Sequence, residues 1–223
     1  MELIEYPDRE MMMLDLADQL TSELADHLRR NETATFCVPG GTTPGPIFDV
    51  MCEQELDWGR VAVVLSDERW VDAAHPRSNT ALLRQRLLVA RGARATLVGL
   101  YAEAPDPEDK LEALAADLVP HLPLSVLLLG MGADMHTASL FPGADNLAAA
   151  LDEDAPPLMA MRADGAGEPR VTLTAPVLQN AMSTHIVITG AEKRAAVERA
   201  AHLPAEQAPV RCVLGQAKVH WAE

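Results

Sequence analysis

The sequence predicts an α/β fold, a parallel sheet flanked by helices, with a small antiparallel lobe in the second half of the chain. Three observations predict it. Segments of helical periodicity alternate with short apolar runs, the order expected of connected strand–helix–strand units. The runs are hydrophobic at successive rather than alternate positions, which is the pattern of strands covered on both faces. Late in the chain, strand candidates are separated by loop signals rich in Gly and Pro, and the antiparallel lobe is expected there.

Leu16, Leu20, Leu24 and Leu28 recur every fourth residue with Asp15, Asp18, Glu23 and Asp26 between them, predicting an amphipathic helix of about five turns. The preceding Met11-Met12-Met13 run is read as core or terminus packing. Ala34 to Val38 reads as a buried strand that ends at Pro39-Gly40-Gly41, and a helix opens at Pro44, where a missing N–H costs nothing. The alternation repeats with a strand at Val61 to Leu65, an N-cap at Ser78 and a helix from Asn79 to Leu88. Ala95 to Leu100 is a strand candidate, Glu108 to Leu118 a helix, and Ser125 to Leu129 a very apolar strand closed by Gly130. Strands are then expected at Leu158 to Arg162, Arg170 to Thr174 and His185 to Thr189, with a helix from Ala191. Loops are expected at Asp154-Ala155-Pro156-Pro157 and from Asp164 to Pro169. Val210 to Leu214 and Ala217 to Trp221, around Gly215-Gln216, read as a closing hairpin.

No internal repeat or low-complexity linker breaks the 223 residues, so one domain over 1–223 is expected. Hydrophobic residues make up 48% and charged residues 23%, which supports a buried core and argues against disorder. Aromatics are only 4%, so Ala, Leu, Val and Met must fill that core. The formal net charge of -15 argues against nucleic-acid binding, which needs a basic footprint. An anionic ligand would have to be met by locally concentrated cations, because the overall field repels it. Cys37, Cys52 and Cys212 are odd in number and widely spaced, which fits small core residues in a reducing compartment. Glu2, Glu5 and Asp8 stand where a signal peptide would carry bases, and no apolar run approaches the roughly 18 residues of a membrane span. A cytoplasmic protein without membrane partners is expected.

In a parallel α/β sheet, ligands sit beyond the carboxyl ends of the strands. Three such ends carry unusual polar sequence. Pro39-Gly40-Gly41-Thr42-Thr43-Pro44 joins a strand to a helix, and two glycines there permit either a tight turn with no ligand or a backbone anion site. It is no Walker loop, since no Gly-Lys-Ser/Thr follows. Ser66-Asp67-Glu68-Arg69-Trp70-Val71, followed by His75 and Ser78-Asn79, puts adjacent carboxylates and an arginine directly after a buried strand. A surface salt bridge is the bland reading, and a strand-end site the functional one. The third end runs from Gly130 to Pro142, where His136 beside Asp134 has the chemistry of a general base near neutral pH. A nucleotide reading of its glycines fails, because Met135 occupies the position of the last glycine. Ser139 lacks the Gly-x-Ser-x-Gly elbow of a nucleophile, and the seven histidines show no paired spacing for a metal.

Taken together, the three loops resemble the 6-phosphogluconolactonase family. Gly40-Gly41-Thr42-Thr43-Pro44 is similar to its glycine-rich loop, Asp67-Glu68-Arg69 with His75 and Ser78-Asn79 to its D-E-R…H…S-N stretch, and Gly130 to Phe141 to its G-x-G-x-D-G-H-T-A-S-L-F signature. Arg170-Val171-Thr172-Leu173-Thr174 and Gly190-Ala191-Glu192-Lys193 match two later segments in order and spacing, so the resemblance covers about four-fifths of the chain. It departs at Met135, where the family usually has glycine; a backbone there with φ > 0 would strain a methionine.

The resemblance implies a modified Rossmann-like sheet and hydrolysis of 6-phospho-D-glucono-1,5-lactone in the oxidative pentose phosphate pathway, with neither cofactor nor metal. The small-molecule sugar phosphate lactone is the expected partner of a monomer or weak homo-oligomer. It implies that Gly40, Gly41, Thr42 and Thr43, with Asp67, Arg170 and Lys193, bind the substrate and its phosphate. His136 then takes a proton from water, Asp134 orients the imidazole, and Arg69 meets substrate hydroxyls or the developing oxyanion. A glucosamine-6-phosphate deaminase-like isomerase is the rival. That sibling carries an Asn-Glu pair after the histidine, where this chain has Thr137-Ala138-Ser139-Leu140-Phe141. A non-catalytic sugar-phosphate-binding protein is the second alternative, encouraged by Met135 alone.

Overall fold

A computed structural model of the chain describes residues 1–164 and 167–223. The loop expected from Asp164 to Pro169 therefore lies partly outside the described residues. Strand β1 (Glu2–Glu5) is followed by helix α1 (Arg9–Leu28), opened by Asp8, whose carboxylate accepts from Met11 N at 2.8 Å. The inner face of α1 is Met12, Met13, Leu16, Leu20, Leu24 and Leu28, so the leucine spacing marks the buried stripe and Met11 is left half exposed. Then come β2 (Ala34–Val38), α2 (Gly45–Met51), β3 (Val61–Leu65), β4 (Asp67–Arg69), α3 (Asn79–Arg86) and β5 (Thr96–Val98). α4 (Leu111–Leu118), β6 (Val126–Gly130), α5 (Leu147–Leu151), β7 (Leu158–Met161), β8 (Arg170–Leu173) and α6 (Ala175–Gln179) follow. The chain closes with β9 (Thr184–Thr189), α7 (Ala191–Ala200), α8 (Arg211–Leu214) and β10 (Lys218–Ala222).

Seven strands form one sheet in the order β1-β10-β9-β6-β2-β3-β5, and every pairing in it is parallel. Every residue of β2 and β3 is buried. Successive side chains of a strand point to opposite faces, so both faces of the central sheet are covered. From β2 the chain steps outward through β3 to β5, returns to β6 beside β2, and steps outward the other way through β9 to β10. The β2/β6 seam is thus the point where the winding reverses, and the loops leaving its two strands open a crevice there.

The second sheet is antiparallel, in the order β4-β8-β7, with Asp67 opposite Thr172 and Arg69 opposite Arg170. It is the expected small lobe, although one of its strands comes from the first half of the chain. β4 leaves β3 after only one intervening residue, so this sheet hangs on the carboxyl end of the larger one.

The closing hairpin is not formed. Val210 to Leu214 is largely helical, with Val210, Val213 and Leu214 buried at helical spacing, and β10 lies parallel between β1 and β9. Three apolar residues in five fit either period, and Pro209 just ahead favours a helix start over a strand. Strands β1 and β4 and helices α5 and α6 are elements that the sequence patterns do not mark. Among the described residues no helix is long and apolar enough to cross a membrane.

Candidate active site

The loop after β2 turns at Gly40 and Gly41. Gly41 holds φ at +83°, and a Cβ on Gly40 would lie 2.0 Å from Asn79 Oδ1, so one glycine serves backbone conformation and the other close packing. Among the described residues the N–H groups of Gly41, Thr42 and Thr43 donate to no protein acceptor. They are left for an anion or for solvent.

Strand β4 alternates its side chains in the ordinary way, and the alternation separates two jobs. Asp67 and Arg69 line the crevice, whereas Glu68 points away and is fully buried. Its carboxylate accepts from Asn79 N at 2.7 Å, Thr80 N at 2.8 Å, Arg69 N at 2.8 Å and Ser78 Oγ at 3.0 Å. Glu68 is thereby a tertiary cap on α3, and it satisfies first-turn N–H groups that the helix itself cannot. Asp67 is held by Ser66 Oγ at 2.9 Å and Ser139 Oγ at 2.6 Å, with Arg170 Nη1 3.8 Å away. Arg69 Nη1 donates to the carbonyl of Arg77 at 2.5 Å, and its buried Nε has no partner among the described residues.

The loop after β6 presents His136. Its Nδ1 lies 2.5 Å from Asp134 Oδ1, which also accepts from the His136 backbone N–H at 3.2 Å. The turn is closed by Met135 N to Gly132 O at 2.9 Å and Gly132 N to His136 O at 3.0 Å. A Cβ on Gly132 would sit 2.3 Å from the imidazole, so the glycine there makes room for the histidine. Met135 does adopt the left-handed conformation, at φ 68°, with its carbonyl fixed by Val210 N at 3.1 Å. Ser139 is fully buried and donates to Asp67, which removes it as a nucleophile.

Arg170 on β8 is nearly buried, and its pKa is lowered by loss of solvent, with the nearby Asp67 opposing. Lys193 stands in the first turn of α7, just after Gly190 at φ +84°, and forms no ion pair among the described residues. These segments enclose a cavity of about 290 Å³. Gly40, Gly41, Thr42, Thr43, Asp67, Arg69, His136, Arg170 and Lys193 all line it. Asp134 does not, and acts on the cavity only through His136. Asn79 also lines it, its Nδ2 donating to Asp67 O at 2.8 Å, whereas His75 turns back to accept from Arg77 N. Gly130, Gly132 and Ala138 are lining residues that the chemistry of side chains does not flag. Among the described residues no group of three or more His, Cys, Asp or Glu side chains is placed to hold a metal ion.

A family model described as glucosamine-6-phosphate isomerases/6-phosphogluconolactonase matches residues 7–221. The chain belongs to this family. Within it, a 6-phosphogluconolactonase of Mesorhizobium japonicum is 39% identical over 224 residues, covering 97% of this chain and 93% of that protein. The crystal structure of a 6-phosphogluconolactonase from Shewanella baltica is 29% identical with a TM-score of 0.96, covering 100% of this chain and 97% of that one. A putative 6-phosphogluconolactonase from Neisseria gonorrhoeae is 31% identical at a TM-score of 0.89, covering 100% and 99%. The loops after β2, β3 and β6 that line the cavity all fall within the matched residues.

Proposed function

We propose that the chain hydrolyses 6-phospho-D-glucono-1,5-lactone to 6-phosphogluconate by general-base activation of water, the activity its relatives are named for. The observation that carries this reading is a tethered histidine sharing one cavity with Arg170, Lys193 and unengaged backbone N–H groups. A dianion entering a protein of net charge -15 needs such a local cluster, and charge-assisted bonds supply it.

With Nδ1–H donated to Asp134, the free nitrogen of His136 is Nε2, which takes a proton from water as its oxygen attacks the lactone carbonyl. The carbonyl electrons move to oxygen, and Arg69 meets that charge through N–H groups not used among the described residues. Collapse of the tetrahedral intermediate breaks the bond to the ring oxygen, which takes the proton back from His136 and leaves a carboxylic acid that ionises. Asp67, fastened by two hydroxyls, positions Arg170 and Ser139 and leaves the phosphate to the cations.

Lactone generated in situ from glucose 6-phosphate and followed against its spontaneous loss tests the reading, with glucosamine 6-phosphate and ammonia detection run in parallel. Rapid lactone loss, reduced about 10²–10⁴-fold in His136→Ala, is expected. Ammonia release without lactone loss would transfer the chain to the deaminase reading. Inertness toward both, with retained binding of 6-phosphogluconate, would make it a sugar-phosphate-binding protein.

A further inference from the structure

The segment that follows His136 doubles back on itself. Ala138 takes a left-handed φ of 49°, Thr137 and Leu140 form an isolated antiparallel bridge, and Leu140 N donates to Thr137 O at 3.0 Å. Leu140 is fully buried and anchors the reversal. The result returns Phe141 to the histidine five residues before it: the two ring centroids are 4.4 Å apart, with the planes tilted by 40°. The same phenyl ring carries the guanidinium of Arg170, whose Cζ lies 5.5 Å from its centroid. One aromatic side chain therefore touches the base and a cation that comes from a different sheet.

Each contact answers a deficiency of the site. The hydrogen bond to Asp134 holds one nitrogen of the His136 ring, and Phe141, its centroid 4.4 Å from that of the imidazole, supplies the packing that limits how far the ring can swing. Arg170 has lost most of its water, and the negative face of an aromatic ring attracts a cation most strongly where water is excluded. Resting on the proposed lactonase reading, we infer that Phe141 is a positioning residue that aligns the His136 base and the Arg170 cation through one ring, so that turnover and phosphate recognition depend on it together.

Phe141→Leu keeps apolar bulk and removes the flat face; Phe141→Tyr keeps the face. Both are compared with the parent in lactone kinetics, in calorimetric affinity for 6-phosphogluconate, and in the proton resonances of the His136 ring. Phe141→Leu is expected to lower kcat about tenfold, to weaken product binding by a similar factor, and to abolish the ring-current shift on His136. Phe141→Tyr is expected to restore all three. A Leu variant with parental kcat, KM and product affinity overturns the inference, as does one that loses only thermal stability. Should the parent itself fail to hydrolyse lactone, the functional reading falls. The product-binding and resonance measurements then decide the role of Phe141: unchanged values in the Leu variant overturn it, and joint loss with rescue by Tyr supports it.

Discussion

Nδ1 of His185 lies 3.0 Å from Nε2 of His220, and both rings are fully buried beneath α1. The pair sits in a chain of polar contacts that runs from Asp15 and Tyr6 to Glu23. Tyr6 OH donates to Asp15 at 2.9 Å, so it must accept from His220 Nδ1–H, also at 2.9 Å. His220 Nε2 faces His185 Nδ1, and the other nitrogen of His185 lies 2.8 Å from Glu23, with Ser183 and Lys218 alongside the carboxylate. Burial would raise the Glu23 pKa, but hydrogen bonds from His185 and Ser183 and the nearby positive charge overturn this and hold it at about 2. Burial, the neighbouring His185 and Lys218 push His220 down to about 3, with Glu23 opposing.

Both groups have folded pKa values below their ordinary ones, so the unfolded chain takes up protons first as the solution is acidified. The His220 contribution to stability is complete above about pH 6.5 and is lost as pH falls toward 3; that of Glu23 is complete above about 4.5 and is lost toward 2. Each group steepens the fall by at most about 1.4 kcal/mol per pH unit within its window. Thermal melting of His220→Gln between pH 7 and 4 is expected to decline more gently than that of the parent. Parallel curves would remove His220 from the linkage.

Lys193 has no ion pair to lose among the described residues, so Lys193→Ala should leave the melting temperature nearly unchanged. A lost charge-assisted bond of about 1.5–3 kcal/mol should raise KM for the lactone by roughly ten- to a hundredfold, with a smaller change in kcat. Steady-state kinetics checks the split, and an unchanged KM removes Lys193 from the phosphate site.

Met135 at φ 68° bears a strain of about 1–2 kcal/mol that glycine would not. Glycine would in turn cost about 0.4–1 kcal/mol through the unfolded chain and lose the methionine's packing on the core. Met135→Gly is therefore expected to melt close to the parent and to keep its kcat, whereas Met135→Val, β-branched in the left-handed region, should melt clearly lower. A large gain in kcat on restoring glycine would show that the methionine holds the loop out of its working shape.

Glu68→Gln replaces an acceptor of four hydrogen bonds by a group that presents an NH₂ to backbone N–H donors. Stranding one buried donor costs about 1–3 kcal/mol, so the melting temperature should fall by several degrees. Circular dichroism melts and the KM of the surviving native fraction check it; a variant as stable as the parent refutes the capping role.

The central architecture was legible because β2, β3, β6 and β9 are apolar at nearly every position and α1 repeats its leucines every four residues. The candidate site was legible where polar residues interrupt that pattern after strand ends, as at Asp67 and His136, which line one cavity. Strand β4 was hidden, since three consecutive charged residues form a strand only because β8 supplies partners from a hundred positions away. The tail failed for the opposite reason: its apolar residues satisfy two periods, and Pro209 just ahead of them favours the helix that forms. Phe141 closes the signature that begins at Gly130, but its own role was not legible, because an aromatic after a buried leucine reads as core until the reversal at Ala138 is known. The proton pair under α1 needs strands thirty-five residues apart to lie side by side.

The division of labour along β4 makes that strand intolerant of insertion or deletion. A slip of one residue between Leu65 and Trp70 would invert all three side chains at once. Glu68 would enter the cavity as an anion beside the proposed phosphate site, and Asp67 and Arg69 would be driven against the start of α3. Point substitutions in this strand can be tuned one at a time, but its length is fixed by two neighbours that read opposite faces of the same three residues.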